Sequence, residues 1–166
     1  MFETALTIEG MNFPQFSARG CVQELTPVVR KELFRRTINH ELIYLGKEGE
    51  EKYISKITCQ DQGIPEMAHL WRGSIVKVGC LATLSQPLKA GEATLAKPYV
   101  LGSLDVLDKD GEILEYACRN GKVETMQKVD GIVRFRPILT MAITNFSYRY
   151  DEWGGKVGWQ IELEEV

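Results

Sequence analysis

Residues 136–166 read RPILTMAITNFSYRYDEWGGKVGWQIELEEV, and this stretch decides the fold class. In the first arm Leu139, Met141 and Ile143 take alternate positions and so share one face, as side chains of a strand do. Beyond Asn145 the large side chains change phase to Phe146, Tyr148 and Tyr150. A one-residue slip inside a continuous strand marks a β-bulge, which re-aims the strand and tightens its twist. The turn DEWGGK, residues 151–156, supplies two flexible glycines, Gly154 and Gly155. The return arm sets Val157, Trp159, Ile161 and Leu163 on one face, against Lys156, Gly158, Gln160, Glu162 and Glu164 on the other. A long antiparallel hairpin covering a core with one side is the expectation.

Trp153 falls in the loop between the two arms, where it cannot share the core they cover. Exposed Trp and Tyr beside an Arg are the residues that most often anchor protein contacts. Arg149, Tyr150 and Trp153 are therefore the candidate protein interface.

Working outward, the same period of two recurs. In KYISKITCQD, residues 52–61, Tyr53, Ser55, Ile57 and Cys59 face away from Ile54, Lys56 and Thr58. In WRGSIVKVGCLATL, residues 71–84, Val76, Val78, Cys80 and Ala82 oppose Ile75, Lys77 and Gly79. β-formers flank Asn39-His40 in LFRRTINHELIYLG, residues 33–46, so a tight hairpin turn is expected there with His40 a solvated turn residue. LDVLDKDGEILEYACR, residues 104–119, is expected to fold about Asp110-Gly111 as a second hairpin. Its Asp-x-Asp-Gly is a plain turn rather than a calcium loop, because the first and twelfth ligand positions would fall on Val106 and Ala117. Val28, Val29 and Leu33 leave room for one short helical stripe after Pro27. Residues 85–102, SQPLKAGEATLAKPYVLG, have two prolines and weak periodicity and read as an extended surface loop or insertion.

At 166 residues, 44% hydrophobic and 26% charged, the chain is the size of one domain with a real core. A net charge of −3 lacks the phosphate-neutralising field that dominates nucleic-acid affinity, so no nucleic-acid partner is expected. MFETALTIEGMNFPQF lacks a basic start followed by an apolar run, and no stretch approaches the apolar length of a membrane-spanning helix. Synthesis in the cytoplasm and no membrane partner are the expectations. Cys21, Cys59, Cys80 and Cys118 are too scattered for a metal knuckle or a redox pair and are expected as buried reduced thiols, with an inter-strand disulfide open to a particle that leaves the cell. No nucleophile elbow, phosphate loop or zinc-protease motif occurs, so neither a catalytic residue nor a cofactor is assigned and the chain is not expected to be an enzyme.

Taken together, the residues predict a mostly β single domain spanning 1–166, an antiparallel sandwich or barrel with hairpins, at most one short helix, and an extended loop or insertion around 85–130.

SARG at 17–20, LFRRTIN at 33–39, YISKITCQDQ at 53–62, WRGSIVKVGC at 71–80, FRPILTM at 135–141 and DEWGGKVGWQIELEEV at 151–166 resemble a family of small virion proteins of tailed bacteriophages, encoded among tail and baseplate genes. The similarity spans both ends and most of the middle, leaving out residues 85–130. It implies a structural role in the virion tail, in the baseplate of a contractile tail, with the tube, hub or wedge proteins as partners and several copies arranged with the tail symmetry. The regular acidic return arm would then serve as a sheet edge toward a neighbour, its charge discouraging wrong pairing. The alternative is a β-sandwich module binding a saccharide or receptor on an aromatic platform made by Trp71, Trp153 or Trp159.

Overall fold

The computed structural model describes residues 3–29, 33–47, 49, 51–67 and 69–166, and among them the chain forms fourteen strands and no α-helix. One six-stranded antiparallel sheet dominates. Its members are β1 (Thr7–Ile8), β2 (Val22–Pro27), β5 (Tyr53–Asp61), β6 (Ile75–Gly79), β13 (Ile138–Tyr150) and β14 (Val157–Glu165), in the order β1-β6-β13-β14-β5-β2. The expected alternation holds strand by strand. Ser55, Ile57 and Cys59 of β5, Val76 and Val78 of β6, and Trp159, Ile161 and Leu163 of β14 are buried on one face.

Loops cover that face. Leu6, Ile8, Met11 and Ala18 from the N-terminal segment close the core, with Phe13, Met67 and Leu70 packed at its margin. On the opposite, outer face Ile54, Lys56, Ile75, Lys77 and Thr140 are exposed and Thr58, Ala142, Gln160 and Glu162 half-buried. Strand β14 is central, hydrogen-bonded to β13 on one side and β5 on the other, which corrects the expectation that its acidic arm is an edge. Alternating wet and dry side chains describe an inner strand of a sheet with one solvated face as well as they describe an edge. The real edges are the two-residue β1 and the strand β2, which ends on Pro27, a residue suited to an unpaired margin.

The bulge lies where the phase change predicted it. Ile143 pairs with Leu163 and Asn145 with Glu162, leaving Thr144 as the extra residue. Its hydroxyl donates to the Glu162 carbonyl at 3.1 Å. Leu139, Met141 and Ile143 face the core before the bulge, and Phe146, Tyr148 and Tyr150 take the same side after it, opposite Ile161, Trp159 and Val157.

Residues 84–135 correct the loop reading. They hold β7 (Leu84–Leu88), β8 (Glu92–Thr94), β9 (Asp105–Asp108), β10 (Tyr116–Arg119), β11 (Lys122–Thr125) and β12 (Gly131–Phe135), in two three-stranded sheets ordered β7-β12-β9 and β10-β11-β8. Leu88, Val106, Val133 and Phe135 from one sheet and Val123 from the other share a second core. The turn at Asp110-Gly111 forms, with Gly111 at φ +87° and the Asp108 carboxylate accepting from the Asp110 and Glu112 amides. The expected hairpin is short: Leu107 and Ile113 bridge, the Asp108 amide donates to the Glu112 carbonyl at 3.0 Å and the Leu114 amide to the Val106 carbonyl at 2.9 Å, after which β10 turns at Asn120-Gly121 to pair with β11.

Finally β3 (Phe34–Arg36) and β4 (Leu42–Tyr44) form the hairpin expected around Asn39-His40. His40, rather than Asn39, takes the left-handed conformation at φ +65°, and it is solvent-exposed. The helical stripe is not seen at Val28 and Val29, which follow β2 without regular structure; residues 30–32 lie outside the described part.

Candidate protein interface

The hairpin of β13 and β14 is anchored at its base and free at its tip. At the base, the Trp159 indole is 3% exposed, stacks against Phe13 with ring centroids 6.0 Å apart, and donates from Nε1 to the Ser17 carbonyl at 2.7 Å. Beyond the bulge an aromatic row continues along the same face as the core thins out. Phe146 meets the edge of Trp71 at 5.2 Å and tilts against Tyr148 at 5.9 Å. The Tyr148 hydroxyl donates to Met67 Sδ at 2.9 Å, and its burial raises the hydroxyl pKa.

Exposure climbs toward the tip, to 65% at Tyr150 and 92% at Trp153. The Asp151 carboxylate accepts from the Trp153 amide at 3.1 Å and so holds the turn, while Gly155 takes φ +60°. Arg149 pairs with Gly158 and Tyr150 with Val157, which places them on opposite faces of the hairpin. All three candidates therefore gather at one end of the molecule without forming one flat patch. A cavity of about 450 Å³ opens beside them, lined by Gln60, Arg149, Tyr150, Asp151, Gly154 and Lys156. Its walls are polar and charged, so a partner seated here would be met by hydrogen bonds flanked by two large rings.

The saccharide platform loses one of its three members, because Trp159 is buried in the core. Trp71 and Trp153 remain exposed.

An ion pair that the sequence did not signal fixes the loop over the core. Arg19 bonds Asp61 through its amide at 2.9 Å and through its guanidinium at 2.7 Å, and the guanidinium lies 4.5 Å from the centre of the Phe16 ring. The hydrogen-bonded Arg19 guanidinium holds the Asp61 carboxyl down to about 2 against the desolvation that opposes it. Forty-two positions separate the pair, so no local pattern could have joined them.

All four cysteines are free thiols, Cys59 and Cys80 buried and Cys21 and Cys118 half-buried. The Cys21 thiol donates to the Ala18 carbonyl at 3.2 Å and the Cys59 thiol to the Arg19 carbonyl at 3.4 Å, and burial pushes the Cys21 thiol up to about 12. Among the described residues no three His, Cys, Asp or Glu side chains gather as a metal site. Compared with protein-family models, curated proteins and solved structures, the chain finds no match.

Proposed function

We propose that this chain is a non-catalytic structural component of a bacteriophage tail, made in the host cytoplasm and built in several copies into the baseplate or the tube-associated region. The resemblance of its sequence blocks to small tail and baseplate proteins supports the choice of particle. The observation that carries the assembly role is the form of the last hairpin, locked into the core at Trp159 and projecting Tyr150 and Trp153 into solvent. Anchored bases with free aromatic tips suit docking onto a neighbour, since large exposed rings supply most of the binding energy at protein interfaces.

Replacing Trp153 by Ala is expected to leave the isolated chain folded, within about 0.5 kcal/mol of wild type. Particles assembled with it should be fragile or incomplete. Trp159→Ala is the contrast, expected to cost about 3–5 kcal/mol in urea unfolding because it empties a core position. Equal losses of folding from both changes would remove the tip from the interface. Labelling the chain and imaging purified tails separates the second reading: label found only at fibre tips would favour the receptor-binding module, for which exposed Trp71 beside Phe146 and Tyr148 offers the platform.

A further inference from the structure

The hairpin of β3 and β4 stands apart from both cores. None of its side chains belongs to either buried cluster, and every residue of the two strands is exposed. Register puts Phe34, Arg36, Leu42 and Tyr44 on one face, with the Phe34 and Tyr44 rings 5.0 Å apart. Ile38 at the turn is 99% exposed. A two-stranded hairpin alone is marginal in water, and contiguous exposed apolar side chains mark contact surfaces. Neither Arg35 nor Arg36 has an ion-pair partner among the described residues.

The outer face of the six-stranded sheet carries the complementary chemistry. Read across the strands, one cross-strand row runs Thr26, Ile54, Glu164, Ala142, Ile75, and the next begins Glu24, Lys56, Glu162. Ile54 and Ile75 are exposed, Glu164 stands between Ile54 and Ala142, and Glu162 lies opposite Lys56 and accepts from the Gln160 side-chain amide at 2.8 Å; neither carboxylate has an ion-pair partner among the described residues. An apolar strip with carboxylates faces solvent on one side of the molecule, and an apolar arm with arginines faces solvent elsewhere.

We propose that the β3–β4 arm of one copy lies across the outer sheet face of a second copy, with Phe34, Leu42 and Tyr44 on Ile54, Ala142 and Ile75 and with Arg36 opposite Glu162 and Glu164. Strand layers stacked face to face in this way bury alternate side chains, and the charge match fixes the register. Arm and acceptor are different surfaces of one chain, so two copies can exchange arms about a two-fold axis or many can join head to tail. The proposal deepens the assembly reading by naming one partner as the chain itself.

Sedimentation of the purified chain tests it. Wild type is expected to form species larger than one chain as concentration rises to about 1 mM, the range in which weak contacts of this kind fill. Leu42→Asp with Tyr44→Asp should be monomeric throughout, with the hydrogen-exchange protection of residues 138–165 unchanged. Arg36→Glu should weaken association roughly tenfold or more, and mixing that variant with Glu162→Arg, Glu164→Arg chains should restore it. A wild type that stays monomeric overturns the proposal, whether or not the arm then captures a different protein. So does association indifferent to the Leu42 and Tyr44 changes, or reversed charges that fail to restore it. Trp153→Ala touches neither surface and should self-associate as wild type does, which keeps this result separate from the particle experiment.

Discussion

At the residue scale, burial followed the alternation of side chains closely, and the long-range ion pair did not. Ile57, Val78, Ile161 and Leu163 are buried because a pleated strand sends every second side chain to one face. Arg19 and Asp61 belong to segments that meet only after folding, and nothing in SARG or in QDQ announces the bond. The pair has a pH signature. Its carboxyl, ordinarily near 4 in an unfolded chain, is held down to about 2 in the folded one. A depressed folded value means that the unfolded chain takes up protons first, so the stabilisation is complete above about 4 and drains as pH falls toward 2. Urea midpoints taken from pH 6 to acid should decline in that window. Asp61→Asn should lower stability at pH 6 and flatten the decline; a mutant curve parallel to wild type would show that other carboxylates set the acid response.

At the element scale, the long strands were legible and the short ones were not. β13 and β14 give enough alternating positions to show both faces and even the slip at Thr144. Strands β7 to β12 have three to five residues each, too few for a period, and Leu88 or Val123 stands as the single fully buried side chain of its strand. Asn120-Gly121 was the signal to use: both residues sit at positive φ between β10 and β11, as a two-residue hairpin turn demands. Ala90-Gly91 joins β7 to β8 in the same way, and a Cβ on Gly91 would meet the Gln127 carbonyl at 2.8 Å. Sheet order was beyond reach, since the last strand in the chain need not be the last in the sheet. The bulge supports a sharp test. Thr144 is an added residue on β13, so deleting it leaves Asn145 opposite Glu162 and keeps both faces. The deletion should cost only about 1–2 kcal/mol, straighten the hairpin and redirect its tip. Deleting Gln160 from unbulged β14 flips one half of that strand to the outer face and should abolish the fold. Circular dichroism with urea unfolding distinguishes them; comparable collapse in both would mean that the kink itself is required.

At the scale of the whole molecule, two cores must act as one body if the hairpins are to be held in fixed directions. Backbone bonds cross the joint between them, the Cys80 amide donating to the Pro137 carbonyl at 3.0 Å, the Val100 amide to the Arg136 carbonyl at 2.8 Å and the Ile138 amide to the Pro98 carbonyl at 2.8 Å. The Arg136 guanidinium donates to the Cys80 carbonyl at 2.7 Å and to the Ala5 carbonyl at 2.5 Å, while its amide donates to the Ser103 hydroxyl at 3.1 Å. One residue thus ties the main sheet and its N-terminal cover to the loop that enters β9. Lys97 and Glu165 make a second tie, the ammonium bonding the carboxylate on β14 while the Glu165 carboxylate also accepts from the Tyr53 amide. Hydrogen bonds from a charged donor contribute about 1.5–3 kcal/mol each, so Arg136→Met should lose roughly 2–4 kcal/mol of the coupling between the cores. Hydrogen exchange is the measurement that locates the loss. Wild type should open residues 84–135 and the six-stranded sheet with similar free energies, as a coupled unit does. In the Arg136→Met variant residues 84–135 should open first, with the amides of β13 and β14 still protected. Uniform loss of protection across both sheets would mean that packing, rather than this guanidinium, makes the two cores a single body.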